Sequence, residues 1–317
     1  MRVAVLDDFQ DAARQTADWS ALAGRAEVSF FTDNVTGAAL VERLMPFEAV
    51  VAIRERTRFP AELLAQLPNL RLIATTGMRN LGIDLAACRA RGVVVCGTEG
   101  GGAPTAELAM GLILALSRNV VAEDASLRRG EWETRRIGSV IKGKTLGLVG
   151  LGKLGAEMAR FAHVFGMEVL AWSPNLTEAR AAAAGCRAVD KATLFGSSDY
   201  VSLHLVLSER TRGIVGAAEI GAMRRGAFLV NTSRAGLVDE AALIWALREG
   251  RIAGAGLDVF EAEPLPTDAA ILGAPNTILT PHLGYATREN YESYFPQTVE
   301  NIAAWLDGAP IRLLGEG

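Results

Sequence analysis

Three side chains of complementary chemistry follow successive apolar runs in the second half of the chain. Arg234 comes after AFLVN (227–231), Glu263 after IAGAGLDVF (252–260) and His282 after TILT (277–280). If those runs are strands of one parallel sheet, all three groups emerge at its carboxyl edge, where ligands of open α/β sheets bind. A guanidinium holds an anion, an imidazole moves a proton, and a carboxylate orients and charges that imidazole. Each group taken singly has a plainer explanation: a solvated arginine, an acidic surface loop around Glu261 and Glu263, a histidine capping a turn. Their joint placement at consecutive strand ends favours catalysis, because such loops carry catalytic groups. His163 sits inside a helical stretch and has no such setting. His204 closes the run YVSLHL and is a candidate for the cofactor side, with no strand-end acid after it.

Upstream, residues 145–155 read TLGLVGLGKLG, which places Gly150, Gly152 and Gly155 in G-x-G-x-x-G spacing. That spacing alone is weak, but here it follows a five-residue apolar run and opens a helical pattern reaching about Phe165. In this context Gly150 allows the tight turn and Gly152 lets the backbone approach a pyrophosphate. Gly155 lets the helix pack closely on the strand, and Lys153 and Leu154 open the helix that meets the phosphate. Thr232, just past AFLVN, joins His204 as a cofactor-side candidate. A nicotinamide delivering hydride to a carbonyl, with an imidazolium protonating the developing alkoxide, is the chemistry these residues imply.

The next strand-like run ends MEVLAWSPN (167–175), where a ribose-binding Asp or Glu is expected and Ser173 stands instead. Without that acid a 2′-phosphate is not repelled. Ser173, Asn175 and Arg180 offer donors to it, so NADP is expected to be accepted, with NAD still usable.

The elements that must position these groups are legible as pattern. VAVL (3–6), EVSFF (27–31), AVVAI (49–53), LRLIAT (70–75) and GVVVC (92–96) alternate with helical stretches such as 61–66 and 84–91, the latter opening on Asp84 as N-cap. A second series begins after Gly100-Gly101-Gly102 and the buried helix around LAMGLILAL (108–116). It comprises TLGLV, EVLAW, YVSLHL and the three runs named first. Two doubly wound parallel-sheet domains are expected, a Rossmann domain over 99–285 inserted in a flavodoxin-like domain formed by 1–98 and 286–317. The tail has helical spacing interrupted by Pro296, which is expected to kink or restart the helix.

Composition bounds the rest. With 317 residues, half of them apolar, and a net charge of -4, the chain reads as globular and offers nothing to a nucleic acid. No leader-like or membrane-length apolar segment is seen, and a cytoplasmic location is expected. Three cysteines (Cys88, Cys96, Cys186) and three histidines fit reduced core thiols and no metal site.

Taken together, GLGKLG, VSLHL, VNTSRAGLVDE, AGLDVFEAEP and TPHLG occur in the order found in the D-isomer-specific 2-hydroxyacid dehydrogenases, and the chain resembles that family over nearly its whole length. The resemblance implies catalytic Arg234, Glu263 and His282, with Asp258 near the nicotinamide amide or influencing Glu263. It implies that the first domain with the C-terminal helix binds substrate, a small 2-oxo or 2-hydroxy acid, and that the protein is a homodimer through the nucleotide-binding domain. TTGMRNLGID (75–84) resembles the loop whose backbone N–H groups hold the substrate carboxylate, which marks Gly77, Met78 and Arg79. Arg79 replaces a common second glycine, and Leu81-Gly82 stands where Asp-Asn is usual. Arg54, after AVVAI, is a further substrate-side candidate. A different class, a non-enzymatic dinucleotide sensor or corepressor on the same scaffold, is the alternative.

Overall fold

The computed structural model describes residues 1–132 and 134–315. The apolar runs become strands β1 (Arg2–Val5), β2 (Glu27–Phe30), β3 (Ala49–Ala52), β4 (Leu72–Thr75) and β5 (Val94–Cys96). They are followed by β6 (Thr145–Val149), β7 (Glu168–Trp172), β8 (Arg187–Ala188), β9 (Tyr200–Leu203), β10 (Phe228–Asn231), β11 (Gly254–Leu257) and β12 (Thr277–Leu279). Among the described residues these form a five-stranded sheet of order β2-β1-β3-β4-β5 and a seven-stranded sheet of order β12-β11-β10-β9-β6-β7-β8. Every pairing between the strands is parallel. Burial explains the composition: β3, β4, β9 and β11 are covered throughout, as parallel strands between helical layers must be, so their sequences run apolar instead of alternating.

The chain divides into two compact units, 1–102 with 286–317, and 103–285. The first crossing lies a few residues past 98 because the chain up to Gly100 is tied to the C-terminal helix of its own unit. The Glu99 carbonyl accepts from the Ser293 hydroxyl (2.8 Å) and the Gln297 amide (2.9 Å), and the Gly97 carbonyl accepts from Asn301 at 2.7 Å.

In the first unit the sheet packs on a core that includes Leu44, Phe59, Leu64 and Ile73. Its helices before residue 102 are short, and Asp84 caps Leu85–Ala90 by accepting the Ala87 N–H at 2.9 Å. Pro296 does not restart the final helix, which runs unbroken over Arg288–Leu306. Tyr291, Tyr294, Phe295, Val299 and Ile302 are buried along it, and that packing outweighs the one backbone bond that proline removes.

The second unit has a core on each face of its sheet. Helices Pro104–Ser117 and Lys153–Val164 cover one face with Ala109, Ile113, Met158 and Ala162. Leu194, Phe195, Ile220, Leu243 and Leu247 cover the other. No single helix among the described residues is long and apolar enough to cross a membrane. Cys88, Cys96 and Cys186 are buried free thiols, which burial pushes up to about 11.

Candidate active site

Because the seven strands of the second unit are parallel, everything that follows a strand end lies along one edge. Gly150 follows β6, Ser173 β7, His204 β9, Thr232 and Arg234 β10, Asp258 and Glu263 β11, and His282 β12.

The glycine turn is built as its spacing requires. Gly150 adopts φ +108°, and a Cβ on it would lie 2.7 Å from the His204 carbonyl. A Cβ on Gly155 would meet the Gly150 carbonyl oxygen at 2.1 Å, a backbone clash that no rotamer relieves. Gly152 differs: its Cβ position faces open space, and it precedes the helix Lys153–Val164 with no side-chain cap. The N–H groups of Lys153, Leu154 and Gly155 have no partner among the described residues, which leaves a helix N-terminus ready for an anion. At the end of β10 the Thr232 hydroxyl oxygen is buried with no hydrogen-bond partner, an expensive arrangement unless a ligand supplies one. These features fit a dinucleotide: the open N–H groups beyond Gly152 would receive its pyrophosphate, and the Thr232 hydroxyl would meet one of its polar groups.

His204 abuts this turn through its backbone, its N–H donating to Val149 at 2.8 Å. Its ring Nε2 lies 2.9 Å from the hydroxyl of buried Ser202. Only part of the residue keeps surface, and the packing around the ring pushes the imidazole down to about 4, so it stays neutral in ordinary buffers. At the end of β7, Gly150 donates to the Trp172 carbonyl (2.8 Å), which places Ser173 directly beside the glycine turn. Asn175 is exposed, and Arg180 reaches back to its carbonyl at 3.5 Å.

His282 and Glu263 are in direct contact, Nδ1 to Oε2 at 2.7 Å, both partly buried. The other Glu263 oxygen accepts the Phe260 N–H at 2.8 Å, so the carboxylate cannot swing away. The Tyr285 ring stands edge-on to the imidazole, 5.6 Å between centroids. His282 itself has φ +53°, a left-handed backbone that a non-glycine residue keeps only when its surroundings enforce it.

What enforces it is Asp258. This fully buried carboxylate accepts from the Thr280 hydroxyl (2.6 Å) and the Leu283 N–H (2.7 Å) on one oxygen and from the Gly284 N–H (2.8 Å) on the other. Burial raises its pKa, against the pull of those three bonds. Asp258, expected near a nicotinamide amide or Glu263, holds the turn that presents His282. Arg234 lies in the adjoining loop, its carbonyl accepting from Asn231 at 2.9 Å and its Nη1 donating to the Ser233 carbonyl at 2.7 Å.

The substrate-side candidates lie in the first unit, at the carboxyl ends of β3 and β4. Arg54, also left-handed (φ +52°), lays its guanidinium where a Gly77 Cβ would sit, 1.9 Å from Nη1. Gly77 (φ +89°) does not offer its N–H to a ligand: it donates to the Thr98 hydroxyl at 3.0 Å, a partner brought in by the neighbouring strand. The Met78 and Arg79 N–H groups that follow have no partner among the described residues, and both side chains are exposed. Sequence reasoning missed Thr280 and Thr98, whose partners lie far from them in the chain, and Ser202 and Asn80, for which the i, i+2 spacings to His204 and Gly82 are the local signals.

Comparison with known proteins agrees with this geometry. Residues 110–284 match the profile of the D-isomer specific 2-hydroxyacid dehydrogenase, NAD binding domain. The hydroxypyruvate reductase of Thermotoga maritima is 39% identical over 265 residues, covering 82% of this chain and 85% of that protein. The D-3-phosphoglycerate dehydrogenase of Archaeoglobus fulgidus is 36% identical over 86% of this chain, which spans only 52% of that longer relative. Among solved structures, a phosphoglycerate oxidoreductase from Vibrio cholerae is 41% identical, with a TM-score of 0.93 over 98% of this chain and 100% of that one.

Proposed function

This chain belongs to the D-isomer specific 2-hydroxyacid dehydrogenase family, and on that footing we propose that it interconverts small 2-oxo acids and D-2-hydroxy acids with a nicotinamide dinucleotide. The observation that carries the reading is the 2.7 Å contact of His282 with Glu263 at the carboxyl edge of a sheet whose glycine turn fits a dinucleotide. When bound, the dinucleotide supplies the hydride. His282 turns Nδ1 to Glu263 and leaves Nε2 to give a proton to the oxygen of the reduced carbonyl, while the carboxylate holds the ring in orientation. Arg234 receives the substrate's carboxylate and carbonyl oxygen with its planar fork. In the first unit, the unpartnered Met78 and Arg79 N–H groups are suited to a carboxylate, with Arg54 beside them.

For the cofactor we propose that NADP is accepted and NAD remains usable, since Ser173 puts no charge against a 2′-phosphate. A homodimer through the second unit is supported by apolar side chains left outside its cores, Trp132 (83% exposed) and Ile137 (95%) together with Val120, Val121 and Val140. Sedimentation giving a monomer at micromolar concentration would dispose of that dimer.

The reaction is tested by reducing glyoxylate, hydroxypyruvate and pyruvate with NADH and NADPH, using wild type and His282→Asn. Wild type is expected to turn over at least one acid. The variant is expected to lose roughly 10²–10⁴-fold in rate while still binding dinucleotide. Absence of turnover with every acid sinks the reading, and near-normal turnover of the variant removes His282 from its role.

A further inference from the structure

The loop that follows β4 carries a buried side chain to which nothing above assigns a task. Asn80 is 6% exposed. Its Nδ2 donates to the Arg54 carbonyl at 2.6 Å and to the Thr75 hydroxyl at 2.8 Å. Its Oδ1 accepts the Gly82 N–H at 2.8 Å. The Arg54 carbonyl can only accept and the Gly82 N–H can only donate, so the orientation of this amide is fixed by its partners. One side chain thereby ties together the end of β4, the loop after β3 and the far side of its own loop.

Between these anchors lie Met78 and Arg79, whose N–H groups are unpartnered among the described residues. Two neighbouring anchors complete the frame: the Arg54 N–H donates to the Thr76 hydroxyl (2.9 Å), and Gly77 donates to Thr98 (3.0 Å). Backbone N–H groups left open in a loop bind an anion well only if the loop is held in shape beforehand, since otherwise binding must also order it. Beyond these anchors, the far end of the loop is tied where the Gly82 carbonyl accepts the Phe59 N–H at 2.7 Å, and its tip packs little. Met78 and Leu81 are exposed, and Gly82 brings no side chain to pack.

We infer that Asn80 is a positioning residue that preforms the anion-receiving N–H pair of Met78 and Arg79 by bracing the loop against Arg54, Thr75 and Gly82. The inference rests on the proposed reaction only in naming that anion as the carboxylate of a 2-oxo acid. Asn80 touches no substrate. Its removal loosens the receptor without altering the charge available to the ligand.

The test is oxalate binding to the NADH-saturated protein by calorimetry, with NADH affinity and 2-oxo acid turnover measured in parallel, for wild type, Asn80→Ala, Asn80→Asp and Thr75→Val. Oxalate affinity is expected to fall about tenfold or more in Asn80→Ala, as misplaced binding groups cost one to two orders of magnitude. It should fall further in Asn80→Asp, which keeps the acceptor for Gly82 but sets a carboxylate against the Arg54 carbonyl and beside the bound anion. A residue serving stability alone would instead weaken NADH binding in step with oxalate. Thr75→Val, which leaves two of the three bonds, should lose about two- to fivefold; if it alone folds, an unchanged oxalate affinity there overturns the brace. NADH affinity should stay within about twofold throughout. Oxalate that binds wild type and Asn80→Ala equally, fails to bind wild type, or weakens in step with NADH overturns the inference. If oxalate follows the expected order while wild type reduces no 2-oxo acid, the brace stands and the proposed reaction fails.

Discussion

Asp258→Asn is expected to disable the histidine turn without disturbing the dinucleotide site. In the native chain the two Asp258 oxygens collect three donors, from Thr280, Leu283 and Gly284, at 2.6 to 2.8 Å in a fully buried position. The amide that replaces the carboxylate has one acceptor. Its best orientation keeps the oxygen on the Thr280 and Leu283 donors and turns its NH2 towards the Gly284 N–H, donor against donor. A buried N–H left unsatisfied costs about 1–3 kcal/mol. The left-handed backbone of His282 stores of order 1 kcal/mol more that the turn must still hold. The turn therefore relaxes, and His282 leaves the line on which it serves substrate. Turnover should fall roughly tenfold to a hundredfold, while the Kd for NADH, set by the glycine turn on β6, stays within about twofold. Stopped-flow turnover and dinucleotide titration on the same preparation read both, and urea unfolding reads the stability loss. Wild-type turnover in a variant destabilised by the stated amount would refute the claim that Asp258 acts through the His282 turn; loss of NADH affinity in proportion to turnover would return Asp258 to the cofactor.

Two further outcomes are expected. Ser173→Asp places a carboxylate where a 2′-phosphate would lie, and the NADPH to NADH ratio of kcat/KM should fall about tenfold or more; a wild type that refuses NADPH, or an unmoved ratio, rejects this account of the missing acid. His204 titrates at about 4 in the folded chain against an ordinary 6.5, so the unfolded chain takes up the proton first and stability falls as pH drops through that window. Between about pH 7.5 and about pH 5 the contribution is about 2 kcal/mol at 1.36 kcal/mol per unit. Urea titrations at both pH values should show His204→Gln losing less than wild type by about that amount, and equal losses in the two proteins would contradict the burial of a neutral ring.

The strands and the glycine turn were readable because their signals are local: an apolar run, a spacing of glycines, a helix opening directly after. Placement of Arg234, Glu263 and His282 on one edge was readable too, since parallel pairing aligns every strand end once the strands are recognised. What escaped depends on groups that meet only in three dimensions. The resemblance sets Asp258 near the nicotinamide amide or Glu263, and only the fold-back of 280–284 shows where its oxygens go. Gly77 fits an anion-binding loop, and only the fold brings in Thr98, from the segment after β5, as the acceptor of its N–H. His204 reads as a cofactor-side candidate, and the sequence does not display the packing that lowers the pKa of its ring. Pro296 reads as a helix breaker because the sequence does not display the buried face that holds Arg288–Leu306 together.

The division of the chain also sets an order of events during synthesis. The second unit is continuous over 103–285, so all its strands are available once Tyr285 has been made. The first unit is not: β1 to β5 are translated first, yet the helix Arg288–Leu306 that buries Phe295 and Ile302 and receives Gly97 and Glu99 comes last. The intervening stretch, 103–285, is 183 residues long, and at about 5–20 residues per second its synthesis takes roughly 10–40 s. For that time a five-stranded sheet waits with one flank bare while the unit encoded after it completes its own folding. Nascent chains halted after Tyr285 should therefore carry a protease-resistant second unit and a cleavable first one.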